Sequence, residues 1–162
     1  MTLFEFIEEI VNRLRDSEKN HYGFLWKNGG LQLSDPGAIV EFVPGGPCSP
    51  DFRLEDGSLV LTACGTYRAC FLLYPPATAE AQTVAALYLD DAPLAGSRVK
   101  IEKEPGGTAP CICGQCIFPV HSPAKLSLRL DAPVHWQADP NELIATLEVI
   151  RITSLPDADT QN

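Results

Sequence analysis

Cys111-Ile-Cys-Gly-Gln-Cys116 places three thiols in one short run, the densest set of metal-ligating or redox-active side chains in the sequence. Thiolates at this density can hold zinc or exchange disulfides. The spacing works against a single tetrahedral site. On a strand, Cys111 and Cys113 share a face and Cys116 points to the other, unless a bulge at Gly114 re-aims it. A zinc site also needs a second ligand pair, and no further C-x-x-C or H-x-x-x-H is present. The other thiols, Cys48, Cys64 and Cys70, are spread along the chain. The reading adopted is reduced cysteines buried as small hydrophobes. A disulfide, and a metal or redox centre at Cys111, Cys113 and Cys116, stand as alternatives.

The remaining polar residues nominate no catalytic set. His21, His121 and His135 lie far apart, form no H-x-H pair of the kind a metal-dependent jelly-roll enzyme uses, and read as surface loop residues. A triad is spatial and leaves no spacing signature; nothing here points to one. Asp90-Asp91 reads as the solvated tip of a hairpin. Calcium, which wants six to eight oxygens, finds two carboxylates there. Tyr22, Trp26 and Trp136 are the aromatics available for a ligand surface, against a default of core packing. No cofactor is expected, with zinc or calcium as the alternatives.

At 162 residues the chain fits one domain and a terminal element. Its 45% apolar content supports a substantial core, and 14 prolines with 12 glycines punctuate many short strands. A formal net charge of −9 argues against a phosphate-binding footprint and against docking on anionic lipid. No apolar run is long enough to cross a bilayer. The start, Met1 to Ile10, is apolar but acidic and unlike a secretory signal. Synthesis in the cytoplasm is expected, with no nucleic-acid partner and no membrane insertion.

The elements that position these residues begin with a helix over residues 1–22. Thr2-Leu-Phe-Glu5 is a capping box. Leu3, Ile7, Ile10 and Leu14 then form a seam spaced four, three and four, to about Asp16 or Lys19. Residues 23–37 read as a hairpin or linker with an Asn28-Gly29 turn. Ile39–Val43 reads as the first strand of the main domain, 38–155, followed by a loop over Pro44–Pro50. Phe52–Leu54 and Ser58–Thr62 flank an Asp56-Gly57 turn. Tyr67–Tyr74 is a strand entered at Gly65 and closed by Pro75-Pro76. Val84–Leu89, the Asp90–Gly96 turn, a loop over 103–110, Lys125–Leu130 and Leu143–Ile152 continue the series, and 156–162 is a flexible tail.

This order resembles the C1q/TNF-like jelly roll, an antiparallel β-sandwich. It is most similar to the C-terminal heads of collagen-like proteins on bacterial spores. The resemblance is carried by Gly65-Thr-Tyr67, Leu89-Asp-Asp-Ala-Pro-Leu-Ala-Gly96 and Ala145-Thr-Leu-Glu-Val-Ile-Arg-Ile152. It covers about residues 38–152, and no collagen repeat is present. Some such heads carry calcium. Relatives of this fold form threefold trimers through the sheet that holds the Gly-x-Tyr strand and the last strand.

That implies Tyr67, Ala69, Phe71 and Leu73 in the sandwich core, with Arg68, Cys70, Leu72 and Tyr74 at a trimer interface. Glu148, in the neighbouring last strand, would pair with Arg68 or face solvent. The implied function is a non-enzymatic homotrimeric assembly or recognition head, a structural protein of the bacterial spore or cell surface, with itself and other coat proteins as partners. A metal- or thiol-redox protein using Cys111–Cys116 is the second reading. A sugar or small-ligand module, marked by an exposed Trp136 in a concave loop site, is the third. For the N-terminal helix three fates stay open: a three-helix bundle at the trimer axis, docking on its own head, or a partner-recruiting tag.

Overall fold

Thr2 is the first residue described by a computed structural model that covers residues 2–18, 21–43, 46–50, 52–107 and 111–154. The Thr2 hydroxyl accepts from the Glu5 amide (3.2 Å), and the Glu5 carboxylate accepts from the Thr2 amide (2.6 Å). That reciprocal cap starts helix α1, Leu3–Glu18, and holds the Glu5 carboxyl below its usual range. The side chain of Leu14 and the tail at 156–162 lie outside the described residues, as do parts of the two loops at 44–50 and 103–110.

Thirteen strands follow among the described residues. They are β1 (Tyr22–Asn28), β2 (Leu31–Leu33), β3 (Ala38–Ile39), β4 (Arg53–Glu55), β5 (Ser58–Leu61), β6 (Gly65–Leu73) and β7 (Ala81–Leu89). The rest are β8 (Ala92–Pro93), β9 (Val99–Lys103), β10 (Ile112–Val120), β11 (Ala124–Leu130), β12 (Val134–Trp136) and β13 (Leu143–Thr153). One antiparallel sheet has the order β1-β13-β6-β10. The second runs β4-β5-β11-β7-β8, with β3 on β11 and β9 on β7, and β2 pairs with β12 separately. The chain changes sheets between β5 and β6, again after β6 at Pro75-Pro76, and again on entering and leaving β10. This is a mainly β jelly-roll sandwich with one N-terminal helix.

The core is the dry space between the sheets. Alternation on β6 sends Tyr67, Ala69, Phe71 and Leu73 inward, all fully buried. Leu147 and Val149 of β13 join them, facing Leu59, Leu61, Leu87, Leu126 and Leu128 of the second sheet. The Tyr67 ring stacks on Phe118 at 6.0 Å, and its hydroxyl donates to the Ala63 carbonyl at 2.8 Å. A buried phenol is thereby satisfied. Gly65 enters β6 at φ 148°, where a β-carbon would run into the Thr153 carbonyl.

Several expectations change. Residues 23–37 are no linker: β1 is a full edge strand of the first sheet, paired with β13 along its length. Asn28-Gly29 does not close a two-stranded hairpin, because β1 pairs with β13 and β2 with β12. Gly29 (φ 80°) instead turns the chain from the first sheet into the separate β2-β12 pair. Ile39–Val43 shrinks to the two-residue β3. The Asp56-Gly57 turn does close a hairpin, β4 to β5, with both residues at positive φ. Gly114 makes no bulge, since β10 and β6 stay in register throughout. It is there because a β-carbon would strike the Phe71 ring.

Candidate assembly surface

The face of the first sheet turned away from the core is built by the same alternation. Three cross-strand rows follow from the pairing register: Tyr22, Ile150, Arg68 and Ile117; Phe24, Glu148, Cys70 and Gln115; and Trp26, Thr146, Leu72 and Cys113. Tyr74 continues the face beyond Leu72, held where its amide donates to the Ile144 carbonyl at 2.8 Å. Ile117 is 65% exposed, and Tyr22 and Ile150 are also open. Phe24, Trp26, Leu72 and Tyr74 are half-buried. A sheet with one dry face ordinarily carries polar residues on the other; here the outer face is largely apolar, with Gln115, Thr146, Arg68 and Glu148 as the polar members of these rows.

One ion pair interrupts this surface. Arg68 Nη2 donates to Glu148 Oε1 at 2.8 Å, with both side chains a little under half exposed. Among the surface residues the sequence pattern nominates, the fold therefore brings together Arg68, Cys70, Leu72, Tyr74 and Glu148. It adds Tyr22 and Trp26, which the sequence nominated only for a ligand surface, and Phe24, Ile117 and Ile150, which sequence reasoning missed. Their signal was the aromatic alternation Tyr22, Phe24, Trp26 and the odd-numbered row of β10.

The three thiols of the Cys111–Cys116 run do not converge on one site. Cys111 and Cys113 are exposed, while Cys116 turns into the sandwich opposite Ala69. Among the described residues no group of three or more His, Cys, Asp or Glu could hold a metal ion. The expectation of buried thiols needs correction as well. Only Cys116 is buried, and burial pushes its thiol up to about 11. Cys64 is exposed and donates to the His121 carbonyl, while Cys48 and Cys70 are half-buried. Burial, then the Glu148 carboxylate, raises the Cys70 thiol; burial also raises the Tyr74 phenol.

The other candidates are accounted for within the fold. The Asp90 carboxylate accepts from the Lys125 amide (3.0 Å), and Asp91 pairs with Arg129 (3.2 Å). Arg129 lies over the Tyr88 ring at 4.6 Å. One oxygen of each carboxylate at the Asp90-Asp91 tip is thus engaged by the β11 strand. Trp136 is buried between the layers, with its indole N–H unpartnered, and offers no platform to a sugar. His121 and His135 are exposed, but His21 is buried beside Phe52, contrary to the surface reading.

No protein-family model matches this chain, and no curated protein does. Among solved structures, it is similar to that of Eiger TNF from S. frugiperda, with a TM-score of 0.56 at 15% identity. The match covers 88% of this chain and 98% of that one. The chain has a TNF-like jelly-roll fold.

Proposed function

We propose that this chain is the head of a homotrimer and that its work is assembly or recognition rather than catalysis. The observation that carries this reading is the apolar outer face of the β1-β13-β6-β10 sheet. In a lone chain it leaves aromatic and aliphatic side chains wet on the face opposite the core. The TNF-like fold supports threefold packing through this sheet. Replacing Leu72 with Glu tests it: the chain should stay folded, because the side chain is outside the core, and sediment as a smaller species than the parent. Unchanged sedimentation would remove this face from the interface.

A spore- or surface-associated role is the finer reading, supported by the pattern of Gly65–Tyr67, Leu89–Gly96 and Ala145–Ile152 alone. Detection of the protein in spore coat fractions, and its absence from growing cells, is the expected outcome. Uniform presence through growth would count against it.

A further inference from the structure

Helix α1 carries six large apolar side chains in the open. Leu3 and Phe4 are each 75% exposed, and Phe6, Ile7, Ile10 and Val11 are exposed as well. Every described side chain of the helix, at positions 3–12 and 15, is exposed. Over these described positions the helix is therefore not covered by its own sandwich, which leaves other copies of the chain or a foreign partner to cover its apolar stripe.

The width of the apolar stripe and the tether distinguish these. On a heptad, Leu3 and Ile10 take d and Ile7 takes a, while Phe4 and Val11 fall at e and Phe6 at g. A two-stranded seam uses a and d alone; apolar residues at e and g widen the stripe on both flanks. A helix with two neighbours covers such a stripe. Glu5, Glu8, Glu9 and Asn12 occupy the opposite side.

Four Cα steps join Glu18 to Tyr22, a reach of at most about 14 Å. Tyr22 stands in the outward row with Ile150, Arg68 and Ile117. Its place is fixed: its amide donates to the Ser49 hydroxyl (3.0 Å), and the Arg151 amide donates to the His21 carbonyl (2.8 Å). The end of the helix is thus tethered within about 14 Å of Tyr22, at the margin of the apolar sheet face. Copies packed through that face would release their helices from the same margin, parallel and in register.

We infer that α1 forms a parallel three-helix bundle with α1 of two other copies of this chain, continuous with the sheet interface. This rests on the trimer reading above. At 16 residues the helix is near the length at which isolated helices, about 12–15 residues, are marginal. A trimeric head holds the three at an effective concentration in the millimolar range.

The test places p-benzoylphenylalanine at Ile7 in the full chain, irradiates at micromolar concentration, and reads crosslinked peptides by mass spectrometry and assembly mass by light scattering on one sample. A trimer with helix-to-helix crosslinks is expected. A trimer crosslinked only to sandwich peptides, or not at all, overturns the bundle and leaves the trimeric head standing. A monomer overturns both. As a second arm, Ile7→Asp with Ile10→Asp should lower the helical circular dichroism of the full chain and leave the sheet signal intact. No loss of helical signal would also overturn the bundle.

Discussion

Arg68 and Glu148 pair on a diagonal: Arg68 lies opposite Ile150 and Glu148 opposite Cys70, and the 2.8 Å bond spans the offset between adjacent strands. In the isolated chain, with both groups nearly half in water, such a pair is worth about 0–1 kcal/mol. Its weight rises if a neighbouring subunit removes that water, because breaking one side of a buried pair costs about 3–5 kcal/mol.

Arg68→Glu should therefore leave the fold intact and weaken association at least about tenfold, a change of roughly 1.4 kcal/mol. Adding Glu148→Arg to the same chain should restore most of it. Sedimentation velocity across a dilution series reads both. Association unchanged by Arg68→Glu would place the pair outside any interface.

Tyr67→Ala and Tyr74→Ala separate the two faces of one strand. Tyr67 is fully buried and hydrogen-bonded to Ala63, so its truncation should cost about 3–5 kcal/mol of stability in urea unfolding. Tyr74 is half-buried on the outer face and should lose association more than stability. Equal stability losses with assembly unaffected would contradict the division of faces.

Thiol chemistry gives a third expectation. Cys64 should label at neutral pH in any state, Cys113 in the dissociated chain but not in the trimer, and Cys116 only after denaturation. In the unfolded chain the Cys116 thiol ionises near about 8.5, but in the folded chain it holds its proton until about 11. The unfolded state then binds fewer protons across that window, so stability should be full below about pH 8.5 and fall as pH rises toward about 11. The raised Cys70 and Tyr74 groups act in the same direction. Stability flat across this window would mean that Cys116 is not shielded from water.

The purified protein should hold no stoichiometric zinc at Cys111–Cys116, because Cys116 turns inward while Cys111 and Cys113 face out. Elemental analysis that finds one metal per chain, lost in Cys113→Ser, would revive a metal centre.

What was legible in the sequence was local. Tyr67–Tyr74 is legible as a strand from its length and its Pro75-Pro76 stop, its two faces being assigned from the resemblance, and Thr2 to Glu5 announces a helix start, because each local signal is complete within a few residues. The membership of β1 in the first sheet was not, since its partner β13 lies at the other end of the chain and Asn28-Gly29 imitates a hairpin. Part of the candidate assembly surface was hidden for that reason: Tyr22, Phe24 and Trp26 join Leu72 and Ile117 only through β13 and β6. Cysteine burial was misjudged because, although the opposed facing of Cys113 and Cys116 was legible, which face is covered depends on the strands and the second sheet packed around β10.

Light scattering of the full chain at micromolar concentration tests the central claim most directly. The account predicts a mass of about three times the 17.6 kDa of one chain. A species with the mass of a single chain at that concentration would contradict it.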